Sequence, residues 1–568
     1  MIRRAGTLFS AFVAGLLLAA VLAGCGGPTL GDAGDFRIKR RDLPVAVPEQ
    51  EYLNGANHPV YLDGEGGMAP YTDWKLAGGA LPPGLALHGD GRIGGGVDAA
   101  AAPGLYLFIA DATDSDVYSN RDQQAFAIRC GDPAADGPLL AKAKAYESAY
   151  AERHAPAGVA LNLTNPDAAP ADRAWDGYGD AALWTGLYLA AAAYRYAVTK
   201  DDADLDRARA TLDALDALLR ITGRPGFLAR GFARDADQVL CCDDLSQPGC
   251  TQDKLCGGAS FPDYHKGEGE FAGYHWIGDT GVEHYSGAIF GLTDARDAIR
   301  DADFRALAEE DLAALADHVW DNGLQITDLD GQRTTNGQVD GNKIGNVDHP
   351  NGYNALLALT WFTCAAHATG ESRFKDHVAE LLSRQYLAAM DDSFPAYQGY
   401  DTDWAAVHVA FLNFFNLTRL ETNDRRLSAY QERYINLLWQ DAGEGLADRR
   451  ADVEQNVLFA ILFGQPLDFW PPAGTMDADH QMDLFPAPPR IDHAVDHSPD
   501  PSIEQNPEKA GWALDALDVD LRPPAPFLWD RNPYLLAGGA DDGHEFPGVD
   551  YLLAYWLGRY YHRFGPDL

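Results

Sequence analysis

Basic residues are scarce in this chain. Its 568 residues include 44 lysines and arginines against 84 aspartates and glutamates, which gives a formal net charge of −40. Nucleic-acid phosphates require a basic surface, so this deficit argues against a nucleic-acid partner. The same charge would be repelled by anionic lipid surfaces. We interpret the acidity as a property that favours solubility.

Long apolar runs are also missing, with one exception at the start of the chain. Arg3 and Arg4 precede an apolar run over residues 8–22, and small residues then lead to Cys25. A basic start, a short apolar stretch and a small-residue cleavage site describe a secretory signal peptide. The ending Leu22-Ala23-Gly24-Cys25 resembles the bacterial lipobox, in which the cysteine is lipidated and becomes the new N-terminus.

This resemblance divides the beginning of the chain into a signal peptide over residues 1–24 and a lipidated tether over residues 25–41. Gly26 follows the cysteine, a pattern similar to cargo of the outer membrane in Gram-negative bacteria. We therefore expect an exported protein, lipid-anchored at the outer membrane or cell surface. Its oligomeric state stays open.

Cysteine is rare, with seven in the chain. Besides Cys25 these are Cys130, Cys241, Cys242, Cys250, Cys256 and Cys364. An even set outside the cytoplasm favours disulfides, which we expect to hold the loop-like stretch 241–256. A zinc knuckle is the alternative, although the adjacent pair Cys241-Cys242 does not match the usual ligand spacing.

The first part of the mature chain, residues 42–131, has short apolar runs separated by dense turn signals. This texture predicts a β-sandwich. The segments Gly66-Gly67-Met68-Ala69-Pro70-Tyr71, Leu81-Pro82-Pro83-Gly84-Leu85 and Gly91-Arg92-Ile93-Gly94-Gly95 resemble Ig-like, cadherin-like domains of bacterial surface proteins. The resemblance implies a spacer or a weakly binding domain, and we assign it no chemistry.

Residues 138–568 change to long helical patterns rich in alanine and leucine. Apolar helices alternate with amphipathic ones in the pairs 180–200 with 201–221, 283–300 with 301–322, 352–369 with 372–390 and 404–420 with 424–440. A helix that is apolar on all sides is buried, whereas an amphipathic helix shows one face to water. The alternation therefore predicts an α/α toroid. The fold class is a multidomain chain with an Ig-like β-sandwich before a mainly α toroid.

The loops before the inner helices of such a ring meet at one end of the barrel. They are rich in aromatic, histidine and aspartate side chains, which is typical of functional loops. Aromatic faces stack on sugar rings, and polar groups bond their hydroxyls, so we expect a carbohydrate substrate. The candidate substrate-binding residues are Trp175, Asp176, Tyr178, His275, Trp276, His284, Tyr285, His349, Tyr400, Trp404 and Trp529.

Glycoside hydrolysis requires two carboxyl groups, one of them protonated near neutral pH. Asp279 and Glu283 stand four residues apart at the entry to an inner helix, and Asp401 and Asp403 precede another. We predict Glu283 and Asp403 as the catalytic pair, with Asp279 as partner or sugar ligand. An aspartate before a helix is often only an N-cap, which would explain Asp180, Asp201 and Asp301 and could explain Asp279.

The helical region also resembles a family. The motifs Gly278-Asp279-Thr280 with Glu283, Asp328-Leu329-Asp330-Gly331 and Pro547-Gly548-Val549-Asp550-Tyr551 are similar to uncharacterised bacterial members of the six-hairpin glycosidase superfamily. The resemblance implies an (α/α)6 barrel and, by analogy, glycosidase-like activity. The acidic position is kept as Glu283, but His284 departs from the acidic residue that the family has next.

Two other functions remain open. A polysaccharide lyase could use Tyr285, His284 or His275 as base or acid with Arg230 as the cationic partner. A non-catalytic surface protein could bind glycans through the same aromatic loops. No cofactor is expected. The stretch Asp328-Leu329-Asp330-Gly331 resembles the start of a calcium loop but lacks the remaining ligand spacing, so a turn is the preferred interpretation.

Overall fold

The computed structural model describes residues 36–39, 43–54, 58–116, 120–131, 136–239, 264–341, 351–391, 403–439, 452–463, 478–561 and 563–565. The signal peptide, Cys25, the cysteines of 241–256 and the candidate residues His349, Tyr400 and Asp401 lie outside these ranges, so their assignments stay predictions. None of the helices within the ranges has the length and apolarity needed to cross a bilayer.

The N-terminal part consists of short strands around an apolar core of its own. The strands are Arg37–Ile38, Val60–Tyr61, Gly64–Glu65, Thr72–Gly79, Ala86–Leu87, Arg92–Gly94, Gly104–Thr113 and Arg121–Cys130. Gly104–Thr113 pairs in antiparallel register with Thr72–Gly79 and Arg121–Cys130. Trp74 and Phe108 of this sheet share one core with Val60 and Ile93 of another. The predicted strands are present, while their arrangement as an Ig-like sandwich stays a prediction.

The remainder is mainly helical. Its helices are α1 Pro138–Ala149, α2 Ala181–Thr199, α3 Asp202–Arg220, α4 Val282–Ala298, α5 Ala302–Asp321, α6 Asn351–Thr369, α7 Ser372–Ser383, α8 Tyr386–Ala389, α9 Trp404–Leu420, α10 Asp424–Tyr434, α11 Val453–Phe463, α12 Ala478–Leu484 and α13 Val549–Tyr560. The apolar helices α2, α4, α6 and α9 are buried over most of their length.

In the described part of the chain, six helices close into an inner ring. Going around it, α2 packs on α4, α4 on α6, α6 on α9, α9 on α11, α11 on α13, and α13 back on α2. The amphipathic helices α3, α5, α7 and α10 cover the ring from outside because each has only one apolar face. The predicted two-layered helical toroid is therefore the arrangement observed.

The helices α2 and α4 approach each other closely where glycine removes the side chain. A Cβ atom on Gly186 would stand 2.3 Å from the carbonyl oxygen of Gly287, and one on Gly291 would stand 2.1 Å from that of Gly186. The two backbones can touch only because these positions lack a Cβ.

A buried polar network ties the ring together at the carboxyl ends of its helices. Asp294 of α4 accepts hydrogen bonds from Tyr194 of α2 and from Asn416 of α9. Arg419 of α9 lies 3.4 Å from the Asp294 carboxylate. These contacts give Asp294 a structural role. It lies at the opposite end of the ring from the loops that precede the inner helices.

Cys130 and Cys364 are buried free thiols. Cys130 ends the last strand of the N-terminal part and Cys364 lies in α6, within the two separate cores. The disulfides expected to hold the stretch 241–256 lie outside the described residues, so they stay a prediction.

Candidate active site

Short strands and turns position the loops that enter the inner helices. Ala174–Asp176 leads into α2, Tyr274–Ile277 into α4, and Arg333–Gln338 precedes α6. Tyr274–Ile277 is the central strand of a three-stranded sheet with Gly231–Arg234 and Tyr264–Lys266. Four residues separate each of the strands Ala174–Asp176 and Tyr274–Ile277 from the helix that follows, so these two strands hold the backbone close to the starts of α2 and α4.

Two carboxylates at the starts of α2 and α4 share one histidine. The imidazole Nε2 of His284 lies 3.5 Å from Oδ1 of Asp180, and its Nδ1 lies 3.2 Å from Oε1 of Glu283. The histidine is fully buried, whereas the side chains of Asp180 and Glu283 are 41% and 27% exposed. The three residues therefore form a charged group with the histidine behind it and the carboxylates towards solvent.

This arrangement separates the protonation states. Burial by itself lowers the pKa of His284, but the two carboxylates outweigh it and the pKa rises to about 9. Burial would raise the pKa of Glu283, but the neighbouring imidazolium and Arg230 lower it to about 2. The pKa of Asp180 is also lowered, by His284 and Arg230 against burial. At neutral pH both carboxyl groups are ionised around a protonated histidine.

One donor and one acceptor compete for the Nδ1 atom of His284. The amide nitrogen of Gly281 lies 3.2 Å from it, and so does Oε1 of Glu283. An unprotonated Nδ1 accepts from the amide, whereas a protonated Nδ1 donates to Glu283. The Nε2 atom lies 2.7 Å from the Gly179 carbonyl oxygen and donates to it in either state. The raised pKa favours the form that donates to Glu283.

Helix capping distinguishes the aspartates at the helix starts. The side chains of Asp201, Asp301 and Asp403 each accept a hydrogen bond from a backbone amide of the first turn. Asp180 occupies the N-cap position of α2, yet its side chain makes no such bond. The expectation that capping explains Asp180 is therefore wrong, and the expectation for Asp201 and Asp301 is confirmed.

Asp279 and the turn 328–331, which the sequence motifs also singled out, are joined by a hydrogen bond at the entry of α4. Asp279 has a positive φ of 49°, donates its amide to Asp328 Oδ2 at 2.7 Å and accepts from the Thr335 amide through Oδ1 at 2.6 Å. Its carboxylate thus joins the entry of α4 to a hairpin. Residues 328–331 form the turn of that hairpin, where the Gly331 amide donates to the Asp328 carbonyl.

Asp403 precedes α9 and Glu283 lies in α4, and both of these helices pack on α6. Oδ1 of Asp403 accepts from the Ala406 amide at 3.0 Å. The charges of Glu283 and Asp403 both act on the buried hydroxyl of Tyr353 at the start of α6, and burial together with these charges raises the pKa of that tyrosine. The charges of both predicted residues therefore act on Tyr353, but the Asp403 carboxylate has a capping role.

Sequence reasoning gave no role to Asp530. Burial raises its pKa, and the charges of Asp180 and Asp550 raise it further, against the effects of Arg531 and His408. The Asp530 turn is held by Asp550, which accepts the Leu528 amide at 2.8 Å. The aromatic and aspartate content of the 529–534 loop was the signal that could have identified it.

A second buried pair lies next to Asp530. Nε2 of His408 in α9 lies 2.8 Å from Oε1 of Glu454 in α11, and both side chains are fully buried. Asp452, one residue before α11, has its pKa raised to about 7 by burial and by the charge of Glu454. His408 is buried, and the charge of Glu454 raises its pKa against the effect of burial.

A cavity of ≈370 Å³ opens beside Asp180. Side chains from the entry of α2 form one wall, including Asp176, Asp180 and Trp184, and residues of the 522–546 segment form much of the rest. The site thus combines ionised carboxylates, a carboxyl with a raised pKa, and a neighbouring cavity with polar and aromatic walls.

The other predicted binding residues are distributed between this region and the core. Asp176 lines the cavity, and Trp404 at the start of α9 packs near Trp512 and Tyr534. Trp175 donates its indole N–H to the Arg153 carbonyl oxygen at 2.7 Å, and Trp529 donates its own to Asp550 at 2.9 Å. Tyr178, His275, Trp276 and Tyr285 are buried.

Two of these buried residues bear on the lyase alternative and on sugar contacts. The Tyr285 hydroxyl donates to the Gly226 carbonyl oxygen at 2.7 Å, and its ring stacks on Trp361. His275 Nδ1 lies 3.0 Å from Asp235 Oδ1. Tyr285 is fully buried, so its position favours a packing role over that of a base.

No family model matches the chain, and no curated protein matches it in sequence. Among solved structures, a cellobiose 2-epimerase from Spirochaeta thermophila DSM 6192 is 13% identical, with 67% of this chain and 85% of the epimerase covered and a TM-score of 0.33. A polysaccharide lyase is 12% identical, with 79% and 58% covered and a TM-score of 0.31. Likeness at this level assigns no activity to this chain.

Proposed function

We propose that the protein is an exported, lipid-anchored enzyme that hydrolyses glycosidic bonds of an oligo- or polysaccharide. Asp530 is the general acid, and Asp180 is the base or nucleophile. The observation that carries the proposal is a pair of carboxyl groups on one end of the ring whose surroundings shift their pKa values in opposite directions. Such a pair is what acid–base cleavage of a glycoside requires.

Asp180 meets the requirements of the ionised partner. Its carboxylate is free of a capping bond, lies in the wall of the cavity, and is 41% exposed. His284 and Arg230 keep it ionised. Glu283 has the same histidine as partner, so it balances the imidazolium charge and holds the ring in the orientation that serves Asp180.

Asp530 meets the requirements of the acid. Its side chain is 11% exposed, and burial is the largest cause of its raised pKa. The charge of Asp180 contributes to the same shift. An ionised Asp180 thus helps to keep the proton on Asp530, which then delivers it to the leaving oxygen while Asp180 acts on the anomeric carbon or on a water.

This assignment replaces both members of the predicted catalytic pair, Glu283 and Asp403. Asp403 is replaced because its carboxylate caps α9, whereas that of Asp180 caps nothing. Glu283 remains in the site as the partner of His284. The lyase alternative has less support, because the Tyr285 hydroxyl is fully buried and His284 is protonated between two carboxylates.

The test is a screen of the mature protein on neutral and uronate-containing polysaccharides, with reducing ends and the ultraviolet absorbance of unsaturated uronates recorded together. We expect new reducing ends without the absorbance. The substitutions Asp530→Asn and Asp180→Asn should each reduce the rate about 10²–10⁴-fold, which is the usual contribution of a general acid or base.

Asp201→Asn is the matched control, because Asp201 caps an outer helix and asparagine caps as well as aspartate. Its rate should equal that of the parent. Absorbance that rises with the reducing ends would contradict hydrolysis and identify a lyase. Glycan binding without cleavage would contradict hydrolysis and identify a binding protein.

A further inference from the structure

The cavity beside Asp180 has features that the cleavage mechanism does not use. Asn162, Asp176 and His544 line it together with Asp180. Asp176 is buried, and its Oδ1 accepts from Asn162 Nδ2 at 3.0 Å. His544 Nδ1 lies 3.4 Å from Asp176 Oδ2 and 3.2 Å from Asp542 Oδ2.

These contacts leave one buried acceptor without a donor. Asn162 is 5% exposed, and its amide nitrogen is engaged by Asp176. Its Oδ1 has no hydrogen-bond donor among the residues that the structure describes. A buried acceptor that stays unpaired costs stability, so its position in a cavity wall indicates a donor that arrives with a ligand.

The local backbone is built to keep this atom in place. Gly177 has a positive φ of 77°, and a Cβ there would stand 2.8 Å from both Asn162 Nδ2 and Trp184 Cζ3. Only glycine allows the amide and the indole to approach the same turn. Trp184 therefore contributes an aromatic surface next to the polar wall.

The charges of the cavity select the kind of ligand. Asp176, Asp180 and Asp492 add carboxylates to its lining. Two arginines also line it, and Arg522 Nε donates to the Leu517 carbonyl at 3.1 Å while Arg531 Nε lies 3.1 Å from Asp530 Oδ1. The three carboxylates outnumber the two guanidinium groups, so the wall suits hydroxyl donors better than a carboxylate or sulfate.

The size of the cavity limits the ligand. Pockets for small molecules range from about 300 to 1,000 Å³, and this one measures ≈370 Å³. Pro523, Pro524 and Pro526 contribute a stiff part of the wall. A cavity of this size next to the proposed cleaving carboxylate has room for a single sugar ring.

We propose that this cavity binds the terminal, uncharged sugar unit of the substrate. Asn162, Asp176 and His544 form hydrogen bonds with its hydroxyl groups. The protein then removes sugars from chain ends. The end-acting part rests on the proposed hydrolysis. Binding of a single neutral sugar does not, so the two can fail separately.

The first measurement is saturation-transfer difference NMR of the mature protein with glucose, galactose, mannose and glucuronate. We expect at least one neutral hexose to bind, and glucuronate to bind at least about tenfold more weakly. Asp176→Asn and His544→Gln should each weaken the hexose at least about tenfold, the loss expected for a charged hydrogen-bonding group.

Asp172→Asn is the matched control because Asp172 is exposed and outside the cavity lining. The two cavity variants are independent, so a folding defect in one leaves the other as the test. Binding of none of the neutral hexoses, equal binding of glucuronate, or unchanged affinity in a folded cavity variant would overturn the proposal.

The second measurement follows the products formed from a neutral oligosaccharide series over time. Single sugars released from the first time point support end action. Internal fragments at early times overturn it while leaving hydrolysis intact, whereas hexose binding with no cleavage of any substrate supports the cavity and contradicts the proposed hydrolysis.

Discussion

Asp311 lies buried between the outer helices α3 and α5, and removing its charge should stabilise the protein. Asp311 is 4% exposed, and its Oδ2 has no hydrogen-bond partner among the described residues. Burial and the charges of Asp216 and Glu310 raise its pKa from 3.8 to about 8. Arg220 opposes the shift, but it is already paired with Asp216 at 2.7 Å.

The magnitude follows from linkage between protonation and folding. At pH 7 the carboxyl is ionised in the unfolded chain and protonated in the folded one, so folding must take up a proton. Each pH unit above the unfolded pKa of 3.8 costs about 1.4 kcal/mol, which gives about 4 kcal/mol at pH 7. Relaxation of the site reduces this, and we expect Asp311→Asn to gain about 2–4 kcal/mol.

The sign of the pH dependence is fixed by the raised pKa. Stability from the protonated carboxyl is fully present below pH 3.8 and is lost as the pH rises through about 8. Chemical denaturation of the parent and of Asp311→Asn across this range should therefore show a difference near zero at the acid end that grows towards pH 8.

Asp317→Asn is the control on the same helix, because that side chain is 35% exposed and lies 3.2 Å from Arg373. Its effect should stay within about 1 kcal/mol. An Asp311→Asn protein that is less stable than the parent at pH 7, or a gain that does not vary with pH, would refute the reasoning.

Three further predictions concern charges placed by the fold. His284→Gln should cost about 2–3 kcal/mol in the window from pH 4.5 to 6.5, and the cost should vanish as the pH rises through about 9 or falls through about 2, measured by denaturation. Lys142→Met should cost about 1–3 kcal/mol, because its ammonium donates to the carbonyls of Met482, Asp483 and Phe485 at 2.6–3.0 Å; an unchanged midpoint of thermal unfolding would contradict this. The kcat/KM of the hydrolase should fall at high pH as Asp530 ionises, and a high-pH limb that persists in residual Asp530→Asn activity would refute Asp530 as the acid.

The helical part of the fold was accessible from the sequence because burial leaves a local pattern. The apolar segment predicted over 180–200 is α2, Ala181–Thr199, and the segment predicted over 404–420 is α9. Buried helices are apolar all round and outer ones on a single face, so composition alone separates the two layers.

The candidate site was accessible only in part. The loops that precede the inner helices were identified from their aromatic and acidic residues, and Glu283 lies in the group of charges found there. Which aspartates are caps could be predicted only in part. Asp180 and Asp403 both occupy N-cap positions, but Asp180 has φ −112° and ψ 8° and makes no capping bond, whereas Asp403 has φ −78° and ψ 95° and caps α9.

The sequence by itself determined the export signal pattern, the alternation of helices and the set of loops in which ionisable residues are concentrated. Only the tertiary structure decided which carboxyl groups have raised pKa values. The pKa of Asp530 depends on its burial and on charges at residues 180 and 550, which are far apart in the chain. Electrostatic coupling acts through space over short distances, so it exists only once the ring has closed.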